Sequence, residues 1–527
     1  MMRTAIVALI LAAGTAAAVA AAVSSPWWWP AAALLVPLGL LGAADLLQRR
    51  HSVLRNYPVL GHARFLLERI RPEVQQYFVE RNYDGRPFDR DVRTIVYERA
   101  KGTDAEQPYG TERDVYRTGY EYLVPSMAPR PVPETPPRVR VGGPDCDRPY
   151  DMALLNVSAM SFGSLSANAV LALNGGAAAG GFAHDTGEGG LSEYHLRPGG
   201  DLIWEIGTGY FGCRTRDGDF DPGEFAAKAA HDHVKCVSLK LSQGAKPGIG
   251  GVLPGPKVNA EIAKVRDVPE GRTVISPPYH RAFSTPRELV RFLARMRELS
   301  GGKPTGFKLC VGSRRQFLAV CKAMLEEGTT PDFIVVDGGE GGTGAAPMEF
   351  ADHVGAPLTE GLLTVHNALV GTGLRDRVRI GASGKIATGT DLVKRLVQGA
   401  DYGNAARAMM FAVGCIQAQR CHTNTCPTGV TTQDPRRARA LDVRDKTPRV
   451  RRFQEATVAS ALQIMAAMGV TDPAELRPHM LRRRIDPYTE RSYEELYEWL
   501  GPGQLLAEPP RDWAADWKAA DPDRFTV

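Results

Sequence analysis

Three cysteines lie within twelve positions of the stretch GCIQAQRCHTNTCPTG (414–429), at Cys415, Cys421 and Cys426. The chain has only eight cysteines in 527 residues, which is too few for a disulfide scaffold. Their spacing differs from that of zinc ribbons and of bacterial ferredoxins. Three thiolates suit an iron–sulfur cluster that lacks one iron corner. A zinc site that recruits the adjacent His422, or a set of inert thiols, are the alternatives.

Two glycine-rich loops, DGGEGGTGAAP (337–347) and GASGKIATG (381–389), each follow an apolar run and could bind a phosphate. Backbone N–H groups of such loops reach a phosphate because no side chain blocks the approach. The candidate residues are Gly341, Gly342, Thr343, Gly344, Gly384, Lys385 and Gly389. No acid that would hold a ribose follows the next strand, so a mononucleotide is favoured over a dinucleotide. The alternative is that these glycines only make tight turns.

Charged and amide side chains in three further stretches could bind a substrate or move a proton. Lys240, Gln243 and Lys246 are spaced three apart at the exit of a strand, where they could hold a dicarboxylate; a solvated basic loop is the alternative. Glu188, between glycines in DTGEGG, could position an amine or relay a proton, although a plain turn explains it too. Lys308 ends an apolar strand and could stabilise negative charge on a reduced cofactor ring.

From residue 150 onward, short apolar runs alternate with helical stretches, which predicts a parallel sheet with covered faces. Eight such units favour a (β/α)8 barrel, and a doubly wound sheet is the alternative. The predicted strands are 154–160, 180–186, 234–242, 272–278, 305–311, 332–338, 377–383 and 401–407. Many of these runs end in Gly, Ser, Asp or Lys, at the strand ends where barrels carry their chemistry.

The first fifty residues predict a transmembrane helical hairpin. Thr4 to Val23 carries no charge, the turn SSPWWWP follows, and a second apolar run extends from Ala31 to Leu47. Arginines at 49, 50 and 55 then favour a catalytic body in the cytoplasm, anchored to the inner or plasma membrane. A cleaved signal peptide is the alternative for the first run.

The predicted domains are the hairpin (1–50), a helical cap with a proline-rich arm (51–149), the barrel (150–435) and a C-terminal helical extension (436–527). The net charge of +5 is small for this length, and no basic stripe interleaved with aromatic residues occurs. The composition therefore excludes a dedicated nucleic-acid-binding protein.

Seven stretches occur in the order found in one known family: LLNVSAMSFGSLS, DTGEGG, LKLSQGAKPGIGGVLPGPKV, VISPPYH, FKLC, GGTGAAP and GCIQAQRCHTNTCPTGVTTQ. Over roughly 150–435 the chain resembles the FMN-binding synthase domain of glutamate synthase, in a stand-alone, membrane-anchored form. The resemblance implies a (β/α)8 barrel with FMN and a [3Fe–4S] cluster held by the three clustered cysteines.

The resemblance also implies roles for individual residues. Ser158, Met160 and Ser161 would lie beside the flavin ring, and the two glycine loops around its phosphate. Lys240, Gln243 and Lys246 would face 2-oxoglutarate, Glu188 would be the acid of the site, and Lys308 would lie near the flavin.

The implied activity is that of an oxidoreductase acting on CH–NH2 groups, which converts 2-oxoglutarate and ammonia, through 2-iminoglutarate, to L-glutamate. We expect a separate electron donor (a ferredoxin, a dehydrogenase subunit or a membrane carrier), because no pyridine-nucleotide domain or ferredoxin-type cysteine set is recognisable. Ammonia would come from solution or from another subunit, and a homo-oligomer is compatible with the sequence.

Ile249 replaces the carboxylate of the family's usual KPGEGG loop. This replacement leaves open the same redox barrel acting on another amino acid or oxo acid. A non-catalytic barrel stapled by zinc is the third hypothesis.

Overall fold

The computed structural model describes residues 2–103, 106 and 108–526, and the chain forms two compact units that divide between Arg86 and Pro87. The first unit begins with a helical hairpin of α1 (Met2–Val23) and α2 (Trp29–Leu47), joined by a 3-10 turn at Pro26–Trp28.

Glycines let the two hairpin helices approach closely. A Cβ on Gly39 would lie 2.5 Å from the Leu11 side chain, and one on Gly14 would lie 3.0 Å from the Val36 backbone. Both helices are long and apolar enough to cross a membrane. Only 22% of each apolar window is buried, unlike the core helix of a soluble protein.

Two further helices complete the first unit, α3 (Ser52–Asn56) and α4 (Gly61–Val74), and α4 continues into a π-helical turn at Gln75–Val79. Pro72 lies inside α4 and has no N–H to donate, so the regular hydrogen-bond ladder is interrupted just before the wider turn.

The second unit contains a closed barrel of eight parallel strands. The barrel strands are β1 (Leu155–Val157), β2 (His184–Asp185), β3 (Leu202–Ile206), β4 (Val234–Lys240), β5 (Thr305–Leu309), β6 (Phe333–Asp337), β7 (Arg379–Ser383) and β8 (Tyr402–Ala405). Each strand pairs with its neighbour in sequence, and Ala405 of β8 lies beside Val157 of β1. The predicted (β/α)8 barrel is therefore confirmed, and the doubly wound sheet is excluded.

One predicted barrel strand was wrong. Residues 272–278 contribute only Val274–Ile275, which pairs antiparallel with Val252–Leu253 in the long segment between β4 and β5. After Ser276 come Pro277 and Pro278, which cannot donate to a ladder. The barrel strand that the sequence analysis did not predict is β3. Its apolar run is interrupted by the carboxylate of Glu205.

Helices follow the barrel strands along the chain, and most of them pack on the outside of the barrel. They are Ala167–Gly180, Glu193–Leu196, Pro222–Ala229, Ala260–Arg266, Pro286–Leu299, Arg314–Glu327, Met348–His353, Leu358–Gly371, Gly389–Val397 and Arg407–Ala412. Thr285 caps the helix at 286–299, as expected from a Thr-Pro start, by accepting from the Glu288 N–H at 3.1 Å.

The segments flanking the barrel fold onto it and onto each other. The helix Val443–Ala467 packs against Ala167–Gly180, against Gly389–Val397 and against the helix Arg90–Lys101 that precedes the barrel. Strand Glu121–Leu123 of the proline-rich arm pairs with Leu481–Arg484 of the tail, which pairs in turn with Glu490–Ser492.

Smaller elements complete the flanks. Strands Arg138–Val141 and Tyr150–Ala153 form a separate antiparallel ladder. The remaining short helices are Pro435–Ala438, Tyr493–Leu496, Gln504–Ala507 and Arg511–Ala519.

Candidate active site

Glu188 and Lys240 form a buried ion pair at the carboxyl end of the barrel strands. The Lys240 ammonium lies 2.6 Å from a Glu188 carboxylate oxygen, and the two side chains are only 8% and 14% exposed. Lys240 also donates to the side-chain oxygen of Gln243. Because a Cβ on Gly251 would lie 2.4 Å from a Glu188 oxygen, the loop that follows β4 closes directly over this carboxylate.

The cations around Glu188 keep it ionised. Burial alone would raise the pKa of Glu188, but Lys240, then Lys246 and Lys308, outweigh burial and lower the pKa to about 2. Burial and the neighbouring Lys240 lower the pKa of the buried Lys246 ammonium, against the opposing effect of Glu188. Three predicted substrate-side residues and the predicted acid therefore share one electrostatic cluster.

Lys308 is buried near three carboxylates that the sequence analysis did not select, Glu205, Asp185 and Asp337. Its ammonium donates to Glu205 on the missed strand β3. Burial would lower the pKa of Lys308, but Glu205, Asp185 and Asp337 raise it. Burial and the nearby Glu205 raise the pKa of Asp185, which accepts from the Gly187 N–H at 3.0 Å in the turn that carries Glu188.

A histidine fixes the backbone of Lys240. His280 contacts the Lys240 carbonyl oxygen at 2.9 Å with Nε2 and the Tyr210 hydroxyl at 3.0 Å with Nδ1. Burial lowers the pKa of His280 to about 4, so it is neutral at pH 7. These contacts hold the end of β4 next to Tyr210, and the neutral ring adds no charge to the cluster.

A cavity separates the two glycine loops, and five of its fifteen lining residues are predicted cofactor residues. The lining comprises Phe88, Ser158, Ala159, Gln243, Lys308, Asp337, Gly341, Gly342, Ser383, Gly384, Lys385, Ile386, Ala406, Arg407 and Ala408. The hydroxyls of Ser158 and Ser383 lie 3.2 Å apart across it. The free volume is about 60 Å³, because the Arg407 guanidinium lies against Gly342.

Close backbone packing joins the loop after β4 to the loop after β6. The Gly244 N–H donates to the Asp337 carboxylate at 2.8 Å. A Cβ on Gly244 would lie only 1.9 Å from the Gly338 carbonyl oxygen, so a side chain cannot be accommodated without moving backbone. Glycine at 244 thus brings the substrate-side loop to the edge of the cavity.

The other predicted cofactor residues do not line the cavity. Some continue the chain from residues that line it, and Gly389 lies against a helix. The backbone of Met160 and Ser161 packs on Gly187, where a Cβ would lie 2.6 Å from the Ser161 nitrogen. Thr343 and Gly344 continue the first glycine loop towards the cysteine stretch. Gly389 instead packs on the helix 443–467, where a Cβ would lie 2.6 Å from the Ala461 nitrogen, so helix packing explains this glycine.

The three clustered cysteines lie together beside the first glycine loop. Cys415, Cys421 and Cys426 are close enough to influence one another electrostatically. A Cβ on Gly344 would lie 4.0 Å from the Cys421 Cβ. The side-chain oxygen of Gln417, in the same stretch, accepts from the N–H of the cavity-lining Phe88 at 3.2 Å.

Two cations flank these thiols and were not selected from the sequence: Lys257 is buried and Arg407 is partly buried. Burial lowers the pKa of Arg407, while Cys421, Asp337 and Cys415 act in the opposite direction. Burial lowers the pKa of Lys257 to about 8, opposed by Cys421 and Cys426, and its ammonium donates to the Cys421 carbonyl at 3.2 Å.

Burial raises the pKa of Cys415 to about 12, whereas the pKa of Cys426 falls to about 7. Burial opposes the fall at Cys426, and hydrogen bonds from Thr431 and Thr428 outweigh it. Within the described residues, no three His, Cys, Asp or Glu side chains are arranged to hold a single metal ion. His422 is exposed, so the zinc alternative gains no support.

The backbone of the cysteine stretch is strained. Gln417, Gln419 and Asn424 have φ angles of 58°, 53° and 61°, which non-glycine residues rarely adopt. Such strain persists only where surrounding contacts impose the conformation, and it concentrates at functional sites.

Comparison with known proteins identifies the family. A family profile described as "Conserved region in glutamate synthase" matches residues 150–471. The glutamate synthase large subunit-like protein YerD of Bacillus subtilis is 39% identical over 481 residues, 83% of this chain and 91% of that protein. The archaeal glutamate synthase (NADPH) of Methanocaldococcus jannaschii is 33% identical over 341 residues, which span 64% of each chain.

Among solved structures, a flavocytochrome b2 mutant with pyruvate bound is 14% identical, with a TM-score of 0.41 over 88% of this chain and 93% of that one. A likeness at this level does not bear on function. The profile covers more than half of the chain, and a 39% identical relative extends over most of it. The chain therefore belongs to the glutamate synthase family and is an oxidoreductase of that type, acting on CH–NH2 groups.

Proposed function

We propose that this protein makes L-glutamate from 2-oxoglutarate and ammonia, through 2-iminoglutarate, with FMN and a [3Fe–4S] cluster as cofactors. Overall, 2-oxoglutarate, ammonium, two electrons and two protons give L-glutamate and water. One observation carries the proposal: the Glu188–Lys240 cluster, the cavity between the glycine loops and the cysteine stretch meet at one end of the barrel.

The residues around the cavity suit FMN. Lys385 and the N–H groups of Gly341, Gly342 and Gly384 would hold the phosphate, and Ser158, with the neighbouring Met160 and Ser161, would face the ring. Ligand sites usually enclose at least about 300 Å³, far more than the free space present. The Arg407 guanidinium, which lies against Gly342, occupies part of the space beside the first glycine loop.

When bound, FMN supplies hydride chemistry and the cluster supplies one-electron chemistry, both of which amino-acid side chains lack.

The charged cluster defines what the protein itself does to the substrate. Lys240 and Lys246, with Gln243, would bind the carboxylates of 2-oxoglutarate. Glu188 is ionised at neutral pH and so would hold an ammonium or iminium nitrogen rather than donate a proton. Lys308 stays protonated and would provide fixed positive charge on the other side of the site.

Cys415, Cys421 and Cys426 would hold the cluster as thiolates. In a cluster each thiolate binds a different iron, so its ligands are spaced more widely than those of one ion. The partly buried Arg407 and the buried Lys257 lie next to the sulfurs and would compensate the thiolate charge. The hydrogen bonds that lower the pKa of Cys426 favour the form that binds metal.

The apolar helices of the first unit support membrane anchoring. In this proposal electrons arrive from a separate donor, such as a ferredoxin, a dehydrogenase subunit or a membrane carrier. α1 and α2 are long enough to span a bilayer and leave most of their apolar surface exposed. The arginines that follow α2 would keep the catalytic body on the cytoplasmic side of the inner or plasma membrane.

A second candidate function keeps the redox machinery and changes the substrate. Ile249 lies in the loop that closes over Glu188 and brings no carboxylate there. A site lacking that charge favours another oxo acid, or the amino acid derived from it.

Anaerobic purification tests both candidates. We expect flavin absorption bands with a broad iron–sulfur shoulder, both bleached by dithionite, and glutamate formation from 2-oxoglutarate and ammonium with a chemical reductant. Lys240→Met should abolish turnover and leave the spectrum intact. A colourless protein would refute the cofactor assignment, and turnover with a different oxo acid alone would favour the second candidate.

A further inference from the structure

The helix α4 carries a continuous apolar stripe that is exposed among the described residues. Leu66, Ile70 and Val74 recur every fourth residue, Leu67 widens the stripe, and Phe78 extends it into the π-helical turn. Leu66, Leu67 and Phe78 are 60%, 63% and 85% exposed. Apolar surface this continuous on a water-facing helix is unusual and marks an interaction surface.

Charged residues border the stripe on α4. Arg64, Glu68 and Arg71 lie along one edge, where Arg71 comes one turn after Leu67, and Arg64 pairs with Glu68 at 2.8 Å. An amphipathic helix with arginines beside an apolar stripe is the pattern of helices that lie in the plane of a membrane surface.

Contacts inside the first unit hold the start of α4 at the end of the hairpin. Asp45, in the last turn of α2, is 3% exposed and accepts from the Val59 N–H at 2.9 Å. The same carboxylate contacts the His62 Nε2 at 2.9 Å. Since α2 would leave the bilayer at this end, Asp45 fixes α4 at the level of the membrane surface.

The charge of this region complements anionic lipid. Residues 48–79 contain six arginines and two glutamates. A second copy of the helix, packed on the stripe, would bring two arginine-rich segments together, whereas phosphatidylglycerol headgroups would neutralise them.

We propose that α4 and the turn that follows it lie flat in the headgroup region of the membrane, with Leu66, Ile70, Val74 and Phe78 inserted between the acyl chains. This inference rests on the proposed membrane anchoring of α1 and α2. The hairpin would anchor the chain, and α4 would fix the direction in which the rest of the chain leaves the membrane.

Photo-crosslinking of the full-length protein tests the proposal. The protein is reconstituted in phosphatidylcholine–phosphatidylglycerol vesicles that contain a diazirine-acyl phosphatidylcholine, and labelled sites are mapped on pepsin peptides. We expect label in the hairpin and in residues 61–79, and no label in the helix 90–101. Omitting phosphatidylglycerol should reduce the label in 61–79 and leave the hairpin label unchanged.

Two double variants distinguish loss of the apolar stripe from a general disturbance of the folded first unit. Leu66→Asn with Ile70→Asn should remove the label from 61–79 and leave the hairpin label intact. Arg64→Gln with Glu68→Gln, at the charged edge of the stripe, should preserve both.

A labelled hairpin with unlabelled 61–79 overturns this inference and leaves the anchor standing. Absence of label from both segments refutes the anchor and the inference together. Copy-to-copy crosslinks through 61–79 without lipid label would assign the stripe to self-association and overturn the proposal.

Discussion

The Glu188–Lys240 pair allows a quantitative test of the site that does not depend on turnover. A fall in the pKa of Glu188 from 4.5 to about 2 corresponds to about 3 kcal/mol in favour of the ionised, folded form. Lys246 and Lys308 supply part of this amount, and Lys240 loses hydration on burial. We therefore expect a coupling free energy of about 2 kcal/mol between Glu188 and Lys240.

The assay is a double-mutant cycle on urea unfolding at pH 7, with Glu188→Gln, Lys240→Met and the double variant. The matched control is Arg451–Glu455, an exposed pair at 2.7 Å, for which we expect only about 0.3–0.5 kcal/mol. Because the two pairs have similar donor–acceptor distances, the difference between their coupling free energies reports the effect of burial.

The pH dependence of this coupling has a definite sign. The folded pKa of Glu188 is lowered, so its stabilisation is present above about pH 4.5 and is lost as the pH falls through about 2. The coupling should therefore stay constant from about pH 5 to pH 8. A coupling as small as that of Arg451–Glu455, or one that disappears within this window, would refute an ionised buried pair.

Three other substitutions or deletions probe the remaining parts. Gly244→Ala should lower the flavin bound per purified chain, because its Cβ would clash with a backbone carbonyl, whereas Gly312→Ala, in open space, should not; equal flavin content would contradict the tight loop packing. Cys421→Ala should remove iron, measured by elemental analysis, and retain flavin, and Cys146→Ala should change neither; unchanged iron in the first variant would exclude that ligand. Deleting residues 1–86, one of the two compact units, should leave a coloured protein in the soluble fraction, and an insoluble product would mean that the first unit is needed for folding.

The barrel could be predicted from sequence because most of its strands are short apolar runs, although β2 (His184–Asp185) and β8 (Tyr402–Ala405) are only weakly apolar. β3 was missed because Glu205 interrupts its run, and a charge inside a short apolar segment normally argues against a buried strand. That charge is tolerated because Lys308, a hundred residues later, neutralises it. Pairing across the barrel interior has no signature in local sequence.

In the site, too, residues that local sequence marks could be predicted, whereas residues whose surroundings come from distant parts of the chain could not. Glu188, Lys240 and the cysteine stretch stand out by residue type and spacing, and the structure brings them to one end of the barrel. Gly389 looked like part of a phosphate loop, but contact with Ala461 explains why a side chain is excluded there. Arg407 and Lys257 gave no signal, because a basic residue becomes notable only when its buried surroundings are known.

The pairing of β8 with β1 sets an order for biosynthesis. β1, which contains Val157, cannot pair with β8 until Ala405 has been synthesised. The barrel therefore closes only after nearly all of its residues have left the ribosome. The thiols at 415, 421 and 426 emerge directly after that last strand. For the proposed cluster, iron delivered during translation would reach an open, incomplete barrel, so we expect cluster loading only after the ring of strands has closed.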